Sequence, residues 1–326
     1  MPIVVMFLSP ARVAATHIPM PVDWELRFLE SSDESQIIET CWDADCILSV
    51  GSAANITARV ITSCPKLKFI QCLGAGFNQV DLAAAKMRNI PVANSPGKNA
   101  STVAEFAIGS IIALQRRILE SDVEIKAGHY DVFRRQVLQE GLQEIGGSRL
   151  GLVGIGNIGL TVAKIAGLLG ASVGYYTEHR RPTEVERQFG LVYQSLDELL
   201  AGSDIVSLHV PLNAATRGMI SARELALMPA GSLLVNTSRG AVVDQVALAQ
   251  ALESGHLAGA AIDTFDPEPP DAKHPLLQLS PAARRKVLLT PHTAGVTFSS
   301  FRRMLASNIA NMERVLRGEP AENQVN

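Results

Sequence analysis

A glycine-rich turn between an apolar run and a helical pattern constrains this chain more than any other feature. The run from Leu150 to Gly154 leads into Gly154-Ile155-Gly156-Asn157-Ile158-Gly159, the spacing G-x-G-x-x-G, and a helical pattern follows. In this spacing the first glycine allows a tight turn, the second lets a pyrophosphate approach the backbone, and the third lets the helix lie close to the strand. The helix N-terminus then faces the anion. We therefore predict a dinucleotide-binding unit with Gly154, Gly156, Asn157, Ile158 and Gly159 at the cofactor.

Short β-branched runs alternate with helical stretches along the chain, which is typical of a parallel sheet with crossover helices. After a first strand within Met1–Leu8, strands are predicted over 46–50, 67–72, 150–154, 172–177, 205–209, 232–236, 260–263 and 287–290. Predicted helices include 102–128, 158–170, 196–200 and 246–255, the last closed by Gly255 as a left-handed C-cap. The expected fold class is α/β with doubly wound, mainly parallel sheets.

The length and two turn-rich segments suggest more than one domain. At 326 residues the chain exceeds the usual size of a single domain, about 100 to 200 residues. The segments 94–99 and 290–295 interrupt the pattern near either end and are candidate domain crossings. If both are crossings, the middle of the chain forms one domain and the two ends fold together as the other.

Composition excludes several classes of partner. Lys plus Arg number 29 against 32 Asp plus Glu, and the basic pairs are scattered, so no nucleic-acid partner is expected. There is no apolar run of about 18 residues, so no membrane span is expected. The four cysteines, Cys41, Cys46, Cys64 and Cys72, lack C-x-x-C spacing, which favours reduced core thiols over disulfides or a metal site. We expect a cytoplasmic protein that binds no metal.

The end of the second strand of the dinucleotide unit bears on the choice between NAD and NADP. An acidic side chain there accepts hydrogen bonds from the ribose hydroxyls, whereas a small residue with arginines nearby accommodates a 2′-phosphate. Here Thr177 takes that position, and Arg180 and Arg181 follow. The sequence favours NADP, and NAD is the alternative because Glu178 could take the ribose instead.

Three polar motifs follow predicted strands on the ligand-binding side of an α/β sheet. Arg239 comes after 232–236, and its guanidinium suits two-point contact with a carboxylate. The acids Asp263, Asp266 and Glu268 follow the next strand, and His292 follows 287–289. Reduction of a ketone needs a proton donor at the carbonyl oxygen, a role that suits histidine beside a carboxylate. From position alone, a loop-capping Arg239 and a structural His292 are the alternatives.

The order of these motifs resembles the D-isomer-specific 2-hydroxyacid dehydrogenases. The resemblance rests on the glycine motif, His209-Val210-Pro211-Leu212, Val235-Asn236-Thr237-Ser238-Arg239-Gly240, Asp263-Thr264-Phe265-Asp266-Pro267-Glu268-Pro269 and Pro291-His292-Thr293-Ala294-Gly295. The segments 73–81 and 94–105 are similar to the substrate loop and hinge of the same family. The resemblance runs from about Leu67 to the C-terminus.

The resemblance implies a catalytic set of Arg239, Glu268 and His292. Arg239 would bind the substrate carboxylate and carbonyl together with the backbone of Ala75 and Gly76, His292 would be the acid and base, and Glu268 would pair with it. The implied cofactor site adds the residues Thr102, Thr177, Arg180, Arg181, His209, Val210, Pro211, Thr216, Thr237, Asp263, His292 and Gly295. Asp263 would lie near the nicotinamide amide.

The resemblance also implies the domain arrangement, the partners and the reaction. Residues 1–98 and 291–326 would form the substrate domain, residues 99–290 an inserted Rossmann domain, and two copies a homodimer. The favoured activity is reduction of glyoxylate or hydroxypyruvate to the D-2-hydroxy acid by NADPH or NADH. D-lactate or D-3-phosphoglycerate dehydrogenase activity is the first alternative. A non-catalytic, dinucleotide-sensing corepressor is the second.

Overall fold

Two parallel sheets organise the chain, one in each of two units. The computed structural model describes residues 1–51 and 54–326. Unit 1 comprises Met1–Asn99 and Val296–Asn326, and unit 2 comprises Ala100–Gly295. Unit 2 is therefore inserted into unit 1 along the chain. In the described part of the chain, no helix is both long enough and apolar enough to cross a membrane.

Unit 1 contains a five-stranded sheet in the order β2-β1-β3-β4-β5, with every pair of neighbouring strands parallel. Its strands are β1 (Ile3–Met6), β2 (Glu25–Phe28), β3 (Cys46–Ser49), β4 (Phe69–Cys72) and β5 (Val92–Ala93). Its helices are α1 (Pro10–Ala14), α2 (Glu34–Cys41), α3 (Ala58–Ser63), α4 (Leu82–Met87) and, after unit 2, α14 (Phe298–Leu316).

The central strands of unit 1 are buried on both faces, which explains their continuous apolar sequence. Ile47 and Ile70 pack on one side in a cluster that includes Ile37 of α2. Leu48 packs on the other side in a cluster that includes Leu305 of α14. The C-terminal helix therefore completes the core of a sheet built from the N-terminal third of the chain.

Unit 2 contains a seven-stranded parallel sheet in the order β12-β11-β10-β9-β6-β7-β8. Its strands are β6 (Arg149–Val153), β7 (Ser172–Tyr176), β8 (Leu191–Tyr193), β9 (Ile205–Leu208), β10 (Leu233–Asn236), β11 (Gly259–Ile262) and β12 (Val287–Leu289). Its helices are α5 (Ala100–Gln115), α6 (Ile118–Lys126), α7 (Tyr130–Glu140), α8 (Asn157–Leu168), α9 (Thr183–Phe189), α10 (Leu196–Gly202), α11 (Ala222–Leu227), α12 (Gln245–Glu253) and α13 (Pro281–Arg284). The strand order reverses between β6 and β9, where open α/β sheets bind their ligands.

The predicted α/β class with mainly parallel sheets is confirmed, and one predicted helix is wrong. The pattern over 102–128 forms two helices, because Arg117 adopts a left-handed backbone with φ of 49° between α5 and α6. Its side chain pairs with Glu120 at 2.7 Å and with Glu140 of α7, which holds this break in place. The strands β2, β5 and β8 are absent from the predicted strands, and α1 to α4, α7, α9, α11, α13 and α14 are absent from the helices named above.

Candidate active site

Three loops of unit 2 leave the carboxyl ends of the neighbouring strands β10, β11 and β12. The register pairs Asn236 with Ile262 and Ile262 with Leu289, so the three strands end at the same level of the sheet. Each loop carries one residue of the predicted catalytic set: Arg239 after β10, Glu268 after β11 and His292 after β12. Parallel pairing therefore places at one sheet edge three residues that lie between 24 and 53 positions apart in the chain.

His292 and Glu268 form a direct pair, with 2.6 Å between His292 Nδ1 and Glu268 Oε1. Both side chains are partly exposed. Partial burial of Glu268 raises its pKa, but the hydrogen bond and charge of His292, the Phe265 backbone and the charge of Arg239 outweigh this and lower the pKa overall. The carboxylate is therefore ionised at neutral pH, and it occupies Nδ1 so that Nε2 is the imidazole nitrogen left for another partner.

Asp263 connects the loop after β11 to the loop after β12. Its buried carboxylate accepts hydrogen bonds from the Thr290 hydroxyl at 2.6 Å, the Thr293 N–H at 2.9 Å and the Ala294 N–H at 2.9 Å. Its carbonyl oxygen accepts a hydrogen bond from the His292 N–H at 2.8 Å. Within unit 2, Asp263 thus holds the backbone that carries His292.

The backbone of His292 lies in the left-handed region, with φ of 55°. This conformation is uncommon for residues other than glycine, although histidine adopts it more often than most. Here the His292 N–H donates to Asp263 and also to the Thr290 carbonyl at 3.0 Å. The loop geometry, and with it the direction of the imidazole, is held by these backbone contacts.

Arg239 lies in a tight turn held by Asn236. The Asn236 amide donates to the Arg239 carbonyl at 3.0 Å and accepts from the Ser238 N–H at 3.0 Å. A Cβ on the next residue, Gly240, would collide with the backbone of Phe265, so only glycine lets this turn lie against the loop of Glu268. Arg239 Nη1 donates to the Ser238 carbonyl at 2.7 Å, and its other donors have no acceptor among the residues the structure describes. Burial lowers the pKa of Arg239, and the charge of Glu268 partly offsets this effect.

The glycine motif forms a close crossing of β6, α8 and the loop after β9. Gly154 has φ of 97°, and a Cβ there would lie 2.7 Å from the His209 carbonyl group. A Cβ on Gly159 would collide with the Gly154 carbonyl oxygen. Both glycines are therefore required for packing, as the spacing predicts.

The residues around this crossing fit a dinucleotide. Gly156 is the N-cap of α8 and Asn157 its first residue, with no side-chain cap on the free N–H groups. A Cβ on Gly156 would meet no atom of the described residues within 4 Å, so an anion can reach the backbone there. Ile158 is half-buried in the first turn of the helix.

Other predicted cofactor residues line the carboxyl edge of the same sheet. His209 Nε2 lies 2.9 Å from the Ser207 hydroxyl, and its buried Nδ1 has no partner among the described residues. Burial lowers the pKa of His209 to about 4, so the ring is neutral. The buried Thr237 hydroxyl also lacks a partner in the described part of the chain. Unpaired buried polar atoms of this kind are suited to a polar ligand.

The remaining predicted cofactor residues have mixed surroundings. Thr216 is used internally, since its hydroxyl donates to the Pro211 carbonyl at 2.6 Å. Val210 packs against the hydrophobic core of unit 2. Thr102 is buried in α5, and Gly295 ends unit 2. Thr177 directly follows β7, whose last residue Tyr176 accepts a hydrogen bond from the Gly154 N–H at 2.9 Å.

Ala75 and Gly76 belong to unit 1, in the loop that follows β4. The Asn94 amide donates to the Ala75 carbonyl at 2.7 Å, and the Ser95 N–H donates to the Gly74 carbonyl at 2.9 Å. The N–H groups of Ala75 and Gly76 have no acceptor among the described residues. The loop therefore presents two unused donors.

Several residues that support the site were missed at the level of sequence. Asn236 and Gly240 lie inside a motif that carries the resemblance, and Thr290 directly precedes another. Asn236 holds a turn within its own motif, whereas Gly240 meets Phe265 and Thr290 meets Asp263, which are distant in the chain. Asn94 lies in the turn-rich segment 94–99, where only a domain crossing was expected. Among the described residues, no cluster of His, Cys, Asp or Glu is arranged to hold a metal ion.

The fold and the site define a nicotinamide-dinucleotide-dependent oxidoreductase acting on CH–OH groups. The sequence model described as "D-isomer specific 2-hydroxyacid dehydrogenase, NAD binding domain" matches residues 108–294. The chain belongs to the D-isomer-specific 2-hydroxyacid dehydrogenase family. The matched range lies wholly within unit 2.

Relatives of known function and solved structures agree with this assignment. A glyoxylate reductase of Korarchaeum cryptofilum is 38% identical over 290 residues, which are 89% of this chain and 85% of the relative. A D-3-phosphoglycerate dehydrogenase of Escherichia coli is 43% identical over 267 residues, which are 81% of this chain but only 62% of the relative. The crystal structure of a glyoxylate reductase from Paecilomyes thermophila superposes with a TM-score of 0.82 at 28% identity, covering 99% of this chain and 98% of that one.

The Glu268–His292 pair predicts an acid-dependent loss of stability. The pKa of Glu268 is lowered from its usual 4.5, so its ionised form stabilises the fold above about pH 4.5 and this stabilisation is lost as the pH falls through the folded-state pKa. Urea unfolding of the wild type and Glu268→Gln should give a difference in free energy of unfolding that shrinks below about pH 4.5. Glu184→Gln is the control, since it makes the same change at an exposed carboxylate outside this pair. A Glu268→Gln difference that stays constant would contradict the pairing.

Proposed function

We propose that the chain reduces a small 2-keto acid, glyoxylate or hydroxypyruvate, to the D-2-hydroxy acid. The observation that carries this proposal is the His292–Glu268 pair beside Arg239, at the sheet edge that also bears the glycine motif. The similarity to glyoxylate reductases over nearly their whole length supports this substrate class. D-3-phosphoglycerate and D-lactate are the alternatives, and the phosphoglycerate enzyme has additional length that this chain does not match.

His292 is proposed as the acid in the reductive direction and the base in the reverse direction. Since Nδ1 faces Glu268, the protonated imidazole donates from Nε2 to the substrate carbonyl oxygen. Glu268 stabilises the imidazolium and keeps the ring from turning. The bound nicotinamide dinucleotide supplies the hydride. Asp263 acts through the loop that it holds, without contacting the substrate.

Arg239 and the loop of Ala75 and Gly76 are proposed to bind the substrate carboxylate. A guanidinium stays charged and offers paired donors that match a carboxylate in geometry, and among the described residues only Nη1 of Arg239 is used by the protein backbone. The unused N–H groups of Ala75 and Gly76 are further donors of the kind that bind carboxylates. In this scheme unit 1 is the substrate domain and unit 2 the cofactor domain.

NADPH is proposed as the preferred cofactor. Thr177 is the first residue after β7, so no carboxylate occupies the usual ribose position. Arg180 and Arg181 follow on the same loop, with guanidinium groups that suit a 2′-phosphate. Glu178 is exposed on this loop and is the residue that would favour NADH instead.

A homodimer formed through unit 2 is also proposed. The helices α6 and α7 expose a set of large apolar side chains: Ile118, Leu119, Val123, Ile125, Tyr130, Val132 and Leu138. A cavity of about 1460 Å³ lies next to these helices. It is lined by residues of α5, α7 and the amino ends of β9, β10 and β12. Its lining includes buried oxygen atoms of Gln115 and Ser232 that lack partners within the described residues. In a dimer with two-fold symmetry, α6 and α7 of each copy can cover the cavity of the other copy.

The cytoplasm is proposed as the compartment because the cysteines are unpaired thiols. All four cysteines are free and buried. Burial raises the pKa of Cys41, Cys46 and Cys72 to about 12 and that of Cys64 to about 11, so the thiols are unreactive. Reduced core thiols are typical of a reducing compartment, and microscopy of the tagged protein in its own cells tests this.

Turnover of a substrate panel tests the proposed reaction and cofactor together. We expect the purified protein to oxidise NADPH with glyoxylate or hydroxypyruvate, with a higher kcat/KM than with pyruvate or 3-phosphohydroxypyruvate. Replacing NADPH by NADH should lower kcat/KM about tenfold or more, because charge-assisted hydrogen bonds to the 2′-phosphate are lost. Absence of turnover with every 2-keto acid would contradict the enzymatic role, and a preference for NADH would contradict the cofactor choice alone.

Two substitutions separate proton transfer from substrate binding. His292→Ala should lower kcat by roughly 10²-fold or more and leave dinucleotide affinity within a few-fold. Arg239→Ala should raise KM and lower kcat together, because the guanidinium contacts both the ground-state carboxylate and the developing oxyanion. His129 offers a matched control, since its Nδ1 lies 2.7 Å from Glu124 in a pair of the same kind outside the site. If His129→Ala and His292→Ala reduce kcat equally, the assigned role of His292 is wrong.

Sedimentation tests the homodimer. We expect the wild type to sediment as a dimer, and the double substitution Val132→Asp and Leu138→Asp to produce monomers, because two buried charges oppose an apolar interface. Val22→Asp is the control, since Val22 is fully exposed in unit 1. A monomeric wild type, or a dimer that tolerates both charges on α7, would contradict this surface as the interface.

A further inference from the structure

A buried hydrogen-bond network lies beneath the loop that follows β7. The Tyr175 hydroxyl, fully buried in β7, donates to Glu186 Oε1 of α9 at 2.7 Å. The same hydroxyl accepts the Arg181 N–H at 2.9 Å. Tyr175 also packs edge-on against Tyr193 of β8, with 5.4 Å between ring centroids. Tyr175 of the sheet and Glu186 of α9 therefore hold the loop that carries Arg180 and Arg181.

Arg180 is held by this network in one orientation. Its Nε and Nη2 bind Glu186 Oε1 and Oε2 at 2.8 and 2.9 Å, a two-point contact with a nearly buried carboxylate. Its guanidinium lies over the Tyr193 ring, 5.5 Å from the centroid. Nη1 makes no hydrogen bond to any described residue, and the side chain is 60% exposed. One edge of the guanidinium thus faces the protein, and the other is open to a ligand.

Arg181 is anchored to the glycine motif. Its Nε and Nη2 donate to the Ile155 carbonyl at 3.2 and 2.8 Å, between Gly154 and Gly156. Nη1 again has no partner among the described residues. Both arginines therefore present a free Nη1 near the end of β7 and the start of α8, where the adenosine half of a dinucleotide binds in this fold.

We propose that Tyr175 and Glu186 are positioning residues that set the preference for a 2′-phosphate by fixing Arg180 and Arg181 around the adenosine ribose. This inference rests on the proposed preference for NADPH. Neither residue contacts the phosphate in this scheme, since Tyr175 is buried and Glu186 faces the inner edge of Arg180. Both act through the two guanidinium groups.

The alternative is that Glu186 neutralises Arg180 and so weakens its attraction for a phosphate. The relative distances argue against this alternative. A phosphate at Nη1 lies on the open edge of the guanidinium, and the carboxylate lies on the opposite edge, so the phosphate is farther from Glu186 than from the cation. Coulomb energy falls with distance, so attraction exceeds repulsion. The hydrogen bonds of Arg180 and Tyr175 lower the pKa of Glu186 to about 2, so the Glu186 carboxylate stays ionised at neutral pH. A fixed guanidinium also loses less conformational freedom on binding.

Calorimetric binding of adenosine 2′,5′-bisphosphate and of 5′-AMP, which lacks only the 2′-phosphate, tests the inference without turnover. The wild type should bind the 2′,5′-bisphosphate more tightly. Glu186→Gln should weaken its binding about tenfold, the scale of one charge-assisted hydrogen bond, and change the 5′-AMP affinity less than about twofold. Tyr175→Phe should weaken it in the same direction while keeping the packing of the ring. In an Arg180→Ala background, Glu186→Gln should cause little further loss.

Glu184→Gln is the matched control, because it makes the same change of charge on the same helix without contacting Arg180. If Glu184→Gln and Glu186→Gln have equal effects, or if Glu186→Gln tightens the binding of the 2′,5′-bisphosphate, the positioning role is overturned. If Glu186→Gln fails to fold, Tyr175→Phe decides the result. A wild type without preference for the 2′-phosphate would contradict the NADPH proposal and this inference with it. A preference that all variants retain would contradict the inference alone.

Discussion

The carboxylate of Asp263 is the contact on which the geometry of the candidate site depends. It lies at the end of β11, and its oxygens bind the hydroxyl of Thr290 and the N–H groups of Thr293 and Ala294. These three bonds close the loop after β12, and the His292 N–H, whose residue has a left-handed backbone, donates to the Asp263 carbonyl. The His292 imidazole can then meet Glu268, which belongs to the same loop as Asp263. Asp263 follows a strand end as Glu268 does, but its carboxylate is used to hold the loop that carries His292.

The loops after β11 and β12 and the loop after β7 share one arrangement. In each, a buried or partly buried carboxylate orients a cationic or protonatable side chain. Glu268 fixes His292 through Nδ1, and Glu186 fixes Arg180 through its inner edge. In both pairs the protein uses one side of the functional group and leaves the other for a ligand. Since ordering these groups costs free energy, a fold that orders them in advance lowers the cost of binding.

The sequence predicts the sheets and the glycine crossing well, because both are governed by local periodicity. Leu150 to Gly159 reads as strand, turn and helix, and steric collisions at Gly154 and Gly159 explain why no other residue suits those positions. The break at Arg117 was not predictable, since its left-handed backbone is held by Glu140, a distant residue. The resemblance singled out Glu268 as the partner of His292, but the loop-holding role of Asp263 depends on contacts with residues after the next strand. Glu186 lies in an ordinary polar helix and had no signal in the sequence.

The central claim is that the three loops after β10, β11 and β12 form one site in which His292 Nε2 meets the substrate oxygen and Arg239 meets its carboxylate. A crystal structure with NADPH and oxamate, an unreactive analogue of a 2-keto acid, measures this directly. We expect His292 Nε2 within about 3.2 Å of the oxamate carbonyl oxygen, a hydrogen-bonding distance, and the Arg239 guanidinium in two-point contact with its carboxylate. Oxamate bound away from both side chains, or Nε2 turned away from it while Nδ1 leaves Glu268, would contradict the account.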